Sequence, residues 1–471
     1  MVTECTPIQM QFKGLGRRRI EAAFDGGYIS TDGGALLLRE VDLRLGLTAK
    51  LASCFTDYRS AEAVEHSVLD LVRQRVYGLA LCYEDLNDHD DLMRDPLLAL
   101  ALGKADVEGA TRRRASDRGK ALASSSTLNR LELTKADADG TERYNKIVYH
   151  PERIQALWVD LFLDSFEEAP EEIVLDFDAT DDPVHGNQEG KFFHGYYRCY
   201  CYLPLYVTCG DHLLVAKLRT SDRDAADGST EVLAYLVERI RERWPDVRII
   251  ARADSGFTRN GFMDWCESHG VYYLLGLARN KRLLKRIGNE LVQAREIYER
   301  TGQAARVFAQ FQYRTLKSWS RERPVIAKAE HLAKGSNPRF IVTNLFDDYA
   351  TAQELYEEHY CARGDMENRI KEQQLDMFAD RTSTHTMRAN QLRLWFSAAA
   401  YVLLSAMRRT GLQGSRLAQA TCGTIRLKLL KLGAQVKVSV RRIRVSFASA
   451  FPYQDVFHHA WQTLQYYPRR T

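Results

Sequence analysis

The stretch "IVLDFDATDDPVHG", residues 173–186, runs an apolar strand into a knot of acid. Asp176, Asp178, Asp181 and Asp182 crowd the place where a buried strand should end, with Thr180 among them. Side chains alternate along a strand with period two, so Asp176 and Asp178 share one face. Acids delivered to the end of a buried strand are suited to chemistry, and the downstream chain indicates the kind of sheet that receives them.

Downstream the pattern reads as strands and helices in a definite order. Ile173 to Asp178 is a continuous apolar strand, Tyr196 to Val207 an aromatic and β-branched one broken at Pro204, and Leu213 to Arg219 a third. In "GSTEVLAYLVERIRERWP", Ser229 or Thr230 can cap a helix whose Leu233, Leu236, Val237 and Ile240 make one apolar stripe. "VRIIARADSGF" gives a fourth strand, Thr258 to His269 a helix stopped by Gly270, and Val271 to Leu277 a fifth strand. Three strands, helix, strand, helix, strand is the order of a ribonuclease-H-like α/β fold, in which the first and fourth strands are neighbours. Asp254 closes the fourth strand as Asp178 closes the first. Two carboxylates side by side repel unless a cation neutralises them, and a hard divalent metal is the natural resolution.

A third acid lies in "YCARGDMENRIKEQQ". Tyr360, Arg363, Glu367, Lys371 and Gln374 fall at spacings of three, four, four and three, which puts them on one helix face. A carboxylate flanked by cations can face metal on one side and phosphate on the other. Taken singly, each motif also fits a solvated loop or helix face with ordinary ion pairs.

The remaining chain is organised around this core. Residues 1–170 read as a mainly helical N-terminal domain, with helical periodicity in Ala61 to Tyr83 and Pro151 to Phe166 and a loop at Thr134 to Thr141. The first part of the core is 171–280, a β-rich insertion spans 281–345, the helix bearing Glu367 occupies 346–380, and 381–471 is a helical and basic region. From Arg408 onward the basic residues include Arg416, Arg426, Lys428, Lys431, Lys437, Arg441, Arg442, Arg444, Arg469 and Arg470, against one acid, Asp455. The whole chain carries a net charge of only +4 over 471 residues, so a nucleic-acid partner must be met by such local surface.

Composition also excludes some classes. With 45% hydrophobic residues the chain is globular. "MVTECTPIQMQFKG" lacks the basic start and apolar core of a secretory signal, and the run Leu394 to Met407 is too short for a membrane span and reads as a buried helix. The nine cysteines show no zinc-type spacing and fit reduced thiols in a cytoplasmic protein.

These motifs together resemble the DDE transposases of bacterial insertion sequences, in the branch with a Tyr-x2-Arg-x3-Glu-x6-Lys helix, and most nearly the IS-thirteen-eighty group. The resemblance runs through "GGYISTDGGALLL", "LASSSTLNRLE", "LDFDATDDPVHGNQEG", "YYRCYCYLPLY", "RADSGF" and "YCARGDMENRIKE". It implies that Asp178, Asp254 and Glu367 are catalytic and hold two Mg²⁺ ions, with Mn²⁺ as a substitute. It implies DNA contacts from Tyr360 and Arg363, and a homodimer working on double-stranded DNA, at terminal inverted repeats and target sites, in the bacterial cytoplasm and on its nucleoid. Gln374 stands where the signature has Lys, leaving Lys371, one turn earlier, as the candidate cation. Insertions of this kind carry an aromatic that stacks on a flipped base, and Trp319 is the candidate.

Two rivals come from other classes. "DFDATDD" also fits Asp-x-Asp-x-Thr, the motif of haloacid-dehalogenase-like phosphatases, with Asp176 as nucleophile and Asp178 as acid/base. That family needs a late Gly-Asp-x-x-x-Asp motif, and "RGDMENR" puts Arg369 at the second acid. A transposase-derived DNA-binding protein without activity is the other, and the presence of all three acids argues against it.

Overall fold

The computed structural model describes residues 8–345 and 349–466. Residues 346–348, which open the expected Glu367 segment, and Arg469 and Arg470 of the basic run lie outside the described residues. The chain divides into two compact units, one of His150–Ala398 and one of Met1–Tyr149 with Ala399–Thr471.

The first unit is built on a nine-stranded mixed sheet. Its core strands are β1 (Glu172–Ala179), β2 (Leu205–Cys209), β3 (His212–Lys217), β4 (Arg248–Ala253) and β5 (Tyr272–Leu277), in spatial order 3-2-1-4-5. β2 is antiparallel to β1 and β3, whereas β4 is parallel to β1 and β5 parallel to β4. Central strands covered on both faces read as unbroken apolar runs, which is why Ile173 to Phe177 shows little alternation. On one face Ile173, Leu175, Phe177, Ile249, Ala251, Ala253, Tyr273 and Leu275 join the main core. The helices Pro151–Leu163, Ser229–Arg243 and Asn260–Ser268 feed the same cluster through residues such as Phe162, Leu236 and Phe262. On the other face Ile250 and Leu274 pack with Leu355 and Tyr356 of the segment that carries Glu367. The even-numbered residues of β1 and β4 therefore point toward that segment.

Several sequence expectations are corrected here. Tyr196 to Val207 is not one strand: Tyr196–Arg198 turns, with Arg198 at φ 58°, and Cys199–Tyr202 pairs in a separate three-stranded sheet. Pro204, without a donor, then separates it from β2. Neither Ser229 nor Thr230 caps the helix: left-handed Gly228 occupies the N-cap, and the Ser229 hydroxyl donates to Ala226 O.

The segment 281–345 opens with two helices that basic composition concealed, Lys281–Arg286 and Gly288–Thr301, the first capped by Asn280. Its longer strands, β6 (Ala305–Tyr313), β7 (Arg323–Leu332) and β8 (Arg339–Thr343), extend the core sheet in the order β5-β8-β7-β6. Trp319 is a core residue, 7% exposed, with its ring edge-on to Tyr313 and the Arg323 guanidinium above it. A buried indole holding those contacts is not presented to a flipped base, so that expectation is withdrawn.

Helix Pro151–Leu163, expected in the N-terminal domain, belongs to this unit as well, because Phe162 stacks edge-on against Trp244 and His212. In the other unit the expected helix from Ala61 begins only at Val68, where Ser67 and Asp70 form a reciprocal capping box. The run "VKVSVRRIRVSF" is a hairpin of strands Ala434–Ser439 and Arg442–Phe447 paired to Tyr28–Ser30, not part of a helical region. The apolar run 394–407 lies in the helix Met387–Thr410. Among the described residues no helix is long and apolar enough to cross a membrane.

Candidate active site

The site is set by strand register. Parallel pairing aligns Arg252 of β4 with Asp176 of β1, one residue pair before the pairing of these two strands ends. Their side chains meet in a two-pronged ion pair, Nε to Oδ1 at 2.5 Å and Nη2 to Oδ2 at 2.7 Å, while Arg252 Nη1 donates to His359 O. Asp176 is buried and committed to Arg252, which removes it as a phosphatase nucleophile.

Two residues on, Asp178 has no such tie. The Arg363 guanidinium lies 3.6 Å from its Oδ2 and 2.8 Å from Glu367 Oε1, bridging the strand acid to the helix acid. Burial pushes the Asp178 carboxyl up to about 7; Arg363 opposes the rise, and the negative charges of Asp254 and Glu367 add to it. A carboxyl raised mainly by burial is costly to ionise there without a cation beside it. Asp254 ends β4 as the N-cap of a short turn, its Oδ1 accepting from Gly256 N at 2.8 Å. The phenol of Tyr360 is likewise raised, mainly by burial, with Arg363 and Asp254 both within electrostatic reach. Asp178, Asp254, Glu367, Tyr360 and Arg363 are thus brought together.

The helix delivering Glu367 is irregular. It passes through a π-helical turn at Leu355–Tyr360, a 3₁₀ turn at Cys361–Arg363, an α-helix at Gly364–Lys371 and a second π-helical turn at Glu372–Asp376. Such widened turns are frequent at functional sites and spread residues three apart further around the axis. Lys371 lies in the regular α-helical stretch one turn beyond Glu367, before the second π-helical turn. Its side chain is exposed, whereas Gln374 Nε2 donates to Asp181 O at 2.9 Å and reaches Thr180 Oγ1 at 3.4 Å, in the loop just past Asp178. Arg369 fastens the same helix through Asp211 at 2.6 Å and Glu372 at 3.1 Å.

Gly276 on β5 carries no signal in the sequence. A methyl group there would stand 2.5 Å from Tyr360 Oη, 2.9 Å from Ser255 N and 3.2 Å from Asp254 C. The close approach needs glycine. Gly276→Ala should cost about 1–3 kcal/mol, the usual range for overpacking, and displace the Asp254 turn. Thermal melting checks it; a variant as stable as wild type would disprove the close approach. Arg252 was also missed, although a lone cation inside the apolar run "RIIARAD" asks for a buried partner.

Among the described residues no group of three or more His, Cys, Asp or Glu side chains stands close enough to hold a metal ion. The positive charge at the site is supplied by Arg363. Chemically the donors suit a hard divalent cation: Asp178, Asp254 and Glu367 offer only carboxylate oxygens.

A family model described as "Transposase DDE domain group 1" matches residues 12–469. A solved synaptic complex of piggyBac transposase with hairpin DNA aligns over 84% of this chain and 80% of that chain, at 11% identity and a TM-score of 0.37. No curated protein sequence matches the chain.

Proposed function

Because the chain belongs to the group 1 family of DDE transposase domains, we propose that it moves a bacterial insertion sequence of the IS-thirteen-eighty kind. It binds the terminal inverted repeats of the element as a homodimer and catalyses metal-dependent strand cleavage and strand transfer into target DNA, in the cytoplasm on the nucleoid. The 3-2-1-4-5 strand order with an antiparallel second strand supports a ribonuclease-H-like core.

The observation that carries this reading is the convergence of Asp178, Asp254 and Glu367 on Arg363. These three carboxylates would hold one or two Mg²⁺ or Mn²⁺ ions, which activate a water or 3′-hydroxyl and stabilise the leaving oxygen of an in-line displacement when bound. Asp178 ends a rigid central strand, so its carboxylate is held in place by the sheet. Glu367 sits on a helix fastened at Arg369 and Gln374. Arg363, relieved of neutralising those acids, is free to grip phosphodiester oxygens with its planar fork. Tyr360, wedged over Gly276, keeps the Asp254 turn in register with β5. Reading of the end sequence is assigned to the N-terminal part of the chain, and salt-sensitive phosphate contacts to the basic hairpin around Lys437, Arg441, Arg442 and Arg444.

The test uses the full chain and a duplex containing the junction between element end and flanking DNA. Cleavage at the junction is expected with Mg²⁺ or Mn²⁺ and not with EDTA. Cleavage that persists in EDTA, or a complete failure to cut any end-containing DNA, would defeat the reading.

A further inference from the structure

Asp182, four residues past Asp178, has no part in the chemistry above, and its surroundings do not suit an ionised acid. It is 1% exposed. Its Oδ2 meets the Thr382 hydroxyl at 2.7 Å, and its Oδ1 is buried with no hydrogen-bond partner among the described residues. The charges that act on it are those of Asp380, in the segment leaving the Glu367 helix, and Asp181, its own neighbour, both acids. The phenols of Tyr206 on β2 and of Tyr202 on the paired strand also face it, each raised mainly by its own burial and further by Asp182.

An ionised carboxylate only accepts, with room for about four hydrogen bonds. Here it would keep one, from a neutral hydroxyl, with two further acids nearby, and a buried charge without a cation is the costly case. A neutral carboxyl fits the same atoms: Oδ2–H donates to Thr382 Oγ1, and Oδ1 is left as a carbonyl oxygen whose unmet lone pairs cost far less. Burial pushes this carboxyl well above the usual range; Thr382 opposes the rise, and Asp380 and Asp181 add to it.

The bond to Thr382 belongs to a row that fastens the loop after Asp178 to the segment beyond Glu367. Gln374 Nε2 donates to Asp181 O at 2.9 Å, Glu189 N to His385 O at 3.0 Å, Met387 N to Glu189 Oε2 at 3.0 Å, and Asn390 Nδ2 to Gln188 Oε1 at 3.2 Å. Asp182 also pairs its backbone with Tyr202, so its main chain is tied to the small sheet while its side chain is tied to Thr382. So short a connection makes the place of Asp182 a constraint on the place of Asp178.

We propose that Asp182 is a positioning residue for strand cleavage: held as a neutral carboxylic acid, it latches the loop that follows Asp178 to Thr382, and so sets the strand acid against the helix acid. The role in cleavage rests on the transposase reading, whereas the proton on Asp182 does not depend on it.

The test has two arms, both on the full chain. The first is thermal melting without metal between about pH 5 and about pH 8, for wild type and Asp182→Asn, which keeps the shape of the neutral acid with no proton to lose. Above the ordinary aspartate value of 3.8 the unfolded chain is ionised at this position while the native one is not, so folding takes up about one proton and wild type loses stability as pH rises. The Asn variant should therefore melt higher than wild type, by a gap that widens with pH. A gap that stays constant, or an Asn variant that melts lower throughout, would show Asp182 ionised in the native protein and overturn the proposal. The second arm is cleavage of an end-containing duplex with Mg²⁺ at a temperature where every variant is folded. Thr382→Val should lower kcat about tenfold to a hundredfold, the scale of a small misplacement of reacting groups, with KM for the duplex within about twofold. Thr382→Ser and Asp182→Asn should both keep kcat near wild type. Unchanged kcat in Thr382→Val would reduce the contact to a structural tie and overturn the positioning role, while leaving the transposase reading intact. A wild type that cuts no end-containing DNA would sink that reading and the positioning role together, and the melting gap would still report the proton on Asp182.

Discussion

Asp178→Asn should leave a folded protein that no longer cuts DNA. The substitution removes a charge that burial and the neighbouring acids Asp254 and Glu367 make unfavourable, so the melting temperature of the metal-free protein should hold or rise. Cleavage should fall about 10³-fold or more if Asp178 holds the divalent cation as proposed, because an amide of the same shape would replace that ligand. Paired measurements of melting and end cleavage decide the matter. A variant that cleaves normally would take Asp178 out of the catalytic set.

Asp176→Asn, two residues earlier on the same strand face, should do the reverse in kind: the protein should become unstable before anything can be said of its chemistry. Burial raises the Asp176 carboxyl despite Arg252, so the pair itself is worth little net. Removing only the charge, however, leaves the Arg252 guanidinium at 8% exposure without a counter-ion, with one amide oxygen and the His359 carbonyl as acceptors and an amide NH2 turned against it. Breaking a buried pair from one side costs about 3–5 kcal/mol. Replacing both partners together, Asp176→Leu with Arg252→Met, should recover most of that loss in a denaturant titration. If the single variant is as stable as wild type, the pair is not a structural tie.

The contrast between these two aspartates shows where the sequence was legible. Alternation along Ile173 to Asp178 put both acids on one face, and the count of strands and helices put β1 beside β4, since those features depend on local periodicity. The sequence also favours Asp178 over Asp176; what it does not show is the register across the sheet, which aligns Arg252 with Asp176 and leaves Asp178 open. Helical spacing likewise gathered Tyr360, Arg363 and Glu367. Past Lys371 the count no longer applies, because the π-helical turn at Glu372–Asp376 places Gln374 in a way that no three-and-four spacing reveals. Gly276 was silent for a related reason: what it avoids is the backbone of Ser255 and the phenol of Tyr360, both distant in sequence. Trp319 misled because an aromatic in a basic segment looks the same on paper whether it faces a base or Tyr313.

The three strands that lengthen the sheet beyond β5 also govern when the site can exist. During synthesis β1 and β4 leave the ribosome with both strand acids long before Glu367 is made, and β6 to β8 come between. The edge of β5 must be taken up by β8 and its partners, pairings that span many residues and close slowly. The Glu367 segment packs on Ile326 and Ile341 of those same strands, so it has no finished floor until they have zipped. A nascent or prematurely terminated chain can therefore carry Asp178 and Asp254 on a native-like strand pair while the segment bearing Glu367 has nothing to dock on.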